Sequence, residues 1–228
     1  MKAKFINEVL KPDSHLFDEV KEIFFRVKQS NPDDPFYELN KRLNPLGIKL
    51  VDFKNHFDAL DPREREQFKS SNMIPPLGVR IMGYSPESDS IDIIVDDTFD
   101  DKFLRMPTHV LNNLLNMMWS GFGHETIHKK QSDKMSVIQN PDFFSIDDYF
   151  KNKQEIMAMA FSFIEEVKNF HSKEEILNML RGKAPTGFPG MGMPGNHPLL
   201  NVYKKLGGKA YKMFTKYAYQ YLNDEEND

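Results

Sequence analysis

His124-Glu125-Thr126-Ile127-His128 is the one stretch of this chain whose residue types and spacing point to a specific chemistry. On a helix, residues i and i+4 lie one turn apart on the same face. Both imidazoles can therefore bind one tetrahedral ion, zinc being the expected one. Glu125 projects about 100° around the helix from His124, which sets its carboxylate beside an ion rather than on it. Zinc lowers the pKa of a bound water from 15.7 to about 7. Glu125 can then accept the proton as that water attacks a carbonyl.

A catalytic zinc takes three protein ligands and keeps one position open. Spacing excludes two classes of third ligand. A metzincin needs Gly at 131 and His at 134, where this chain has Gln131 and Lys134. An Asp six residues after the second His would also fall on Lys134, and Asp133 is one place off. Glu155 is the best candidate. It opens an otherwise apolar helix, with Ala158 and Ala160 as small neighbours, and a carboxylate there needs a partner. Asn152-x-x-Glu155 also reads as a capping box, in which Glu155 satisfies only a helix N-terminus. Both readings stay open, with His197, His171 and Asp148 as weaker substitutes.

With these residues the chain resembles the gluzincin-type zincin metallopeptidases: HExxH on one helix, a Glu on a later helix, and a strand hairpin upstream. The pairing with a helix reading Glu-Ile-Met-Ala-Met-Ala looks like small phage-encoded zincin proteins. The resemblance covers about residues 77–170. It implies peptide-bond hydrolysis, Zn2+ held by His124, His128 and Glu155, and Glu125 as general base. By analogy it also implies an edge strand at 90–96 (Ile91, Ile93, Val95) that holds substrate by strand addition. Tyr203 or His197 would stand near the developing oxyanion. The chain departs from the pattern at Lys129 and Lys130, which follow the second His. It departs also at Gly121 and Gly123, which cost about 1 kcal/mol each inside a helix unless a backbone packs closely there. The alternative is a non-catalytic zincin-like protein, a virion or interaction module that keeps the site as a structural metal clip.

The elements that must carry these residues are legible from periodicity. Phe17, Val20, Ile23, Phe24 and Val27 recur at helical spacing behind Asp13 or Ser14. Asp34-Pro35 and Asp61-Pro62 each place a capping carboxylate before a first-turn proline, predicting helices at about 35–43 and 62–70. Residues 48–53, 79–84 and 91–95 read as strands, the last two joined by turn residues into a hairpin. Helices follow at about 108–131, 153–170 and 173–181. A segment at 182–198 with five Gly and four Pro precludes regular structure and is a candidate lid. A last helix at about 201–222 breaks at Gly207-Gly208. The expected fold is α+β and zincin-like: a sheet of about three strands on the HExxH helix, with C-terminal helices. The expected organisation is a helical N-terminal lobe at 1–72 before a catalytic domain at 73–228, with one continuous domain as the alternative.

Composition narrows the remaining classes. The chain has 228 residues and no cysteine, which excludes thiolate metal sites, thiol catalysis and disulfide scaffolds. Thirty basic against 34 acidic residues give −4, no electrostatic signature for nucleic acid. Lys204, Lys205, Lys209, Lys212 and Lys216 do interleave with Tyr203, Tyr211, Tyr217, Tyr219 and Tyr221. That pattern fits a solvated lysine face over packed tyrosines better than a nucleic-acid grip. Met117, Met118, Met157 and Met159 read as core fillers. There is no apolar run long enough to span a membrane and no secretion signal, so a cytoplasmic protein acting on a peptide or protein substrate is expected.

Overall fold

The computed structural model describes residues 9–54, 78–134, 146–183 and 197–224. The expected helix at 62–70 and most of the Gly/Pro segment lie outside these residues. Those described are mostly helical with one small mixed sheet, an α+β arrangement. They cluster into two compact units, Asp13–Lys129 and Met1–Pro12 with Lys130–Asp228.

The unit Asp13–Lys129 opens with α1 (Ser14–Ser30), whose N-terminus is capped by Asp13 accepting from Leu16 N at 2.9 Å. Helix α2 (Pro35–Leu43) follows with Pro35 in the first turn and Asp34 accepting from Tyr37 N at 2.8 Å. Strands β1 (Ile48–Asp52), β2 (Val79–Ser85) and β3 (Ser90–Val95) form the sheet in the order β1-β3-β2. β3 runs parallel to β1 and antiparallel to β2, so the expected hairpin is present. The expectation of a substrate edge at Ile91, Ile93 and Val95 is overturned. β3 is the central strand, paired on both sides, and these three side chains are buried in the core. At the β1 edge, Asn40 Nδ2 donates to Leu50 O at 3.0 Å while its Oδ1 accepts from Leu50 N at 2.8 Å.

Helices α3 (Phe99–Arg105) and α4 (Thr108–Lys134) follow the sheet. Lys28 donates to the carbonyls of Phe103 and Leu104 at 2.7 and 2.9 Å, satisfying last-turn acceptors that α3 leaves open. Phe17 lies 5.0 Å from Trp119 and 5.2 Å from Phe122, ring to ring, joining α1 to α4. One core unites Phe17, Phe24 and Leu39 with Ile48, Ile91, Ile93 and Phe122. The N-terminal helices share this core with the sheet. They complete the hydrophobic face of the sheet. Met117 is 71 % exposed, contrary to its expected place in the core, while Met118 packs against it.

Gly78 introduces β2 at φ +72°, and its carbonyl accepts from Asp96 N at 2.8 Å. A Cβ there would fall 2.7 Å from Asp96 Oδ1 and 3.2 Å from the Phe99 backbone. Left-handed backbone costs a non-glycine residue about 1–2 kcal/mol before any clash. Gly78→Ala is therefore expected to lower stability by about 2 kcal/mol or more, read as a lower urea midpoint with an unchanged slope.

The other unit contains α5 (Ile146–Lys151), α6 (Lys153–Val167), α7 (Lys173–Leu180), α8 (Pro198–Leu206) and α9 (Gly208–Asp224). The break between the last two falls at Gly207, φ 60°. As its apolar circumference requires, α6 is buried over most of its surface, from Ile156 to Val167. Helix α9 lies along it, with Phe163 5.5 Å from Phe214 and Phe161 5.5 Å from Tyr221. Among the described residues no helix is long and apolar enough to cross a membrane.

Candidate metal centre

The HExxH residues lie inside α4, not at its start, and the helix uses its faces for different tasks. Gly121, Glu125 and Lys129 fall at i, i+4 and i+8, one stripe against the β2–β3 hairpin. A Cβ on Gly121 would come 2.7 Å from the terminal methyl of Met82, so the glycine admits the β2 side chain. Glu125 Oε2 accepts from Tyr84 N at 2.8 Å. Lys129 reaches the hairpin turn, donating to Asp89 O at 3.0 Å and pairing with its carboxylate at 2.6 Å. That hydrogen bond is the main reason the Asp89 carboxyl sits below its ordinary value. Both departures from the zincin pattern on this stripe, Gly121 and Lys129, are thus explained by the hairpin.

Thr126 and Ile127, the two unspecified positions of the motif, are buried at 1 % and 0 % exposure. Thr126 Oγ1 donates to Gly123 O at 2.8 Å and accepts from Asp13 N at 3.3 Å. The motif is therefore fixed on both sides, by the start of α1 and by the hairpin.

His124 and His128 occupy the neighbouring stripe. Their Nε2 atoms converge to 3.0 Å, with ring centroids 4.8 Å apart, and His124 is buried. Two nitrogens about 2.0–2.1 Å from one tetrahedral ion would stand about 3.3 Å apart, so the pair is close to the spacing an ion needs. One ligand atom each from His124, His128 and Glu155 fall within 4.8 Å of one another. The structure therefore brings together the three expected ligands in a group that can hold a metal ion. The donor set of two imidazoles and one carboxylate suits a borderline cation.

Glu155 sits in the first turn of α6. The Asn152 side chain caps that helix by accepting from Gln154 N at 2.8 Å, not from the N–H of Glu155 as a capping box would have it. A reciprocal capping box is formed instead at Ser172 and Glu175 of α7. Gln131, three residues beyond His128 on α4, donates to Gln154 O at 3.2 Å. No sequence signal marks this buried glutamine except its place one turn past the motif.

The weaker candidates stand outside this group of three. His197 precedes α8, its Nε2 2.8 Å from Glu166 Oε2 and its ring edge-on to Phe163 at 5.0 Å. Asp148 is exposed on α5. Tyr203 is fully buried and stacked on Phe214 at 4.2 Å. Burial first, and then the charge of Glu155, push its phenol above the ordinary value. Tyr217 and Tyr221 are also buried, and Tyr211 donates to Leu180 O at 3.0 Å, so these rings pack inward beneath the lysines of α9. No protein-family model matches this chain, nor does any curated protein or solved structure.

Proposed function

We propose that the protein is a zinc-dependent metallopeptidase of gluzincin type, with His124, His128 and Glu155 as ligands and Glu125 as general base. The observation that carries the reading is the convergence of the three ligand atoms within 4.8 Å, beside a glutamate at the sequence position a base requires. A bound zinc ion would supply Lewis acidity and make water a nucleophile at neutral pH. Tyr84 N–H holds Oε2 of Glu125, orienting the carboxylate that would take the proton of the attacking water. The same carboxyl then delivers a proton to the leaving amine. Lys129, paired with Asp89, keeps its charge on the hairpin turn.

The test is zinc content together with hydrolysis. The purified protein is expected to carry about one zinc per chain and to cleave a denatured protein, with cleavage lost on chelation and restored by zinc. Chains that bind no metal, or that stay inert with zinc across a broad peptide library, would remove the peptidase reading. Glu155→Ala is expected to weaken zinc binding far beyond the effect of losing a helix cap, which would cost only about 0.5–2 kcal/mol of stability. Competition with a chromophoric chelator measures the first, and urea unfolding the second.

The Glu125–Tyr84 hydrogen bond favours a second reading. A carboxylate engaged by a strand N–H also does structural work, and a non-catalytic metal clip would use it in this way. Under that reading zinc raises the unfolding temperature and no variant of Glu125 alters any cleavage.

A further inference from the structure

The hydroxyl of Tyr203 is a buried polar group to which the packing alone gives no task. The residue is 0 % exposed, its ring stacked on Phe214 at 17° and met edge-on by Phe150 at 5.9 Å. Among the described residues the hydroxyl has no hydrogen-bond partner. A buried hydroxyl is rarely left so, because its lost hydration goes uncompensated.

The path of α8 shows what the hydroxyl meets. It starts at His197, which is bonded to Glu166 near the end of α6. Six residues on, Tyr203 touches Phe150, which precedes α6. Helix α8 therefore runs back along α6 toward its first turn, covering about 9 Å over those six residues. Glu155 and Glu166 are eleven residues apart, about 16 Å along α6 and within about 20° around it. The Tyr203 ring therefore lies beside the start of α6, the end of that helix that carries Glu155.

We propose that Tyr203 is a positioning residue whose unpartnered hydroxyl turns to donate a hydrogen bond to the Glu155 carboxylate when the ion is bound, holding one oxygen so that the other is presented to the metal. The proposal rests on the metal-site reading above. It assigns Tyr203 to the outer shell of the ion, a role distinct from contact with substrate. Partners of this kind fix ligand orientation, and their loss typically costs 10–100-fold in metal affinity.

Tyr203→Phe removes the hydroxyl and leaves the ring stack. In the full-length protein, zinc affinity by chelator competition is expected to fall 10–100-fold. The visible spectrum of the Co2+-loaded protein should shift, while the metal-free unfolding midpoint stays unchanged or rises. A purely structural tyrosine would instead lower the metal-free midpoint and leave the cobalt spectrum alone. Zinc affinity within twofold of wild type, with an identical cobalt spectrum, would overturn the proposal while leaving the metal site standing. If wild-type protein binds neither ion, the metal-site reading falls and this proposal falls with it.

Discussion

His128→Ala is expected to emerge from purification without stoichiometric zinc and without hydrolytic activity, yet folded. The imidazole is half-buried, and its Nε2 stands 3.0 Å from that of His124. Removing it leaves one imidazole and one carboxylate from the group of three. Losing an outer-shell partner already costs 10–100-fold in metal affinity, so losing a ligand should exceed that range. The helix should survive, because Ala is the strongest helix former and Thr126 and Ile127 still hold α4 in its core. Metal analysis and far-UV circular dichroism separate the two effects. Wild-type zinc affinity in this variant would place the metal somewhere other than the HExxH pair.

Glu125→Gln should give the opposite separation: full zinc content and a hydrolysis rate lowered by about 10²–10⁴-fold, the usual worth of a positioned general base. The amide oxygen of Gln can still accept from Tyr84 N, so the strand contact persists and the unfolding midpoint should barely move. Glu125→Ala loses both functions. It should be as inactive as the Gln variant and also less stable by about 1 kcal/mol, because the Tyr84 N–H loses its acceptor. A Gln variant as active as wild type would end the assignment of Glu125 as base. Equal inactivity of all three proteins, each loaded with zinc, would favour the metal clip.

Local signals in the sequence carried much of this architecture. Asp13, Asp34 and Asn152 mark helix starts because a side-chain acceptor before a helix has one principal use. The hairpin followed from two short alternating runs around turn residues, and Gly207 from the need for a break. The i, i+4 spacing of His124 and His128 placed two nitrogens together because a helix permits little else. What stayed hidden depends on neighbours rather than on period. Alternation says that Ile91, Ile93 and Val95 share a face, but not that β1 joins β3 in parallel and makes it central. Likewise, nothing local tells that Gly121 admits Met82, or that Glu125 meets the N–H of Tyr84. Nor could the N-terminal helices be recognised as the other half of the sheet's core, since that requires knowing which apolar faces meet.

Asn40 acts as a strand one residue long. Its carboxamide presents Leu50 with the donor and acceptor that a fourth strand would have offered. A chain approaching this edge of the sheet finds the Leu50 N–H and C=O already taken. It would have to break two hydrogen bonds of about 0.5–1.5 kcal/mol each before forming any of its own. The sheet is thereby protected from lateral growth into aggregates at its β1 side, beyond what the charges of Lys49 and Asp52 on the strand contribute. Asn40→Leu should reopen that edge and show first as concentration-dependent light scattering on gentle warming.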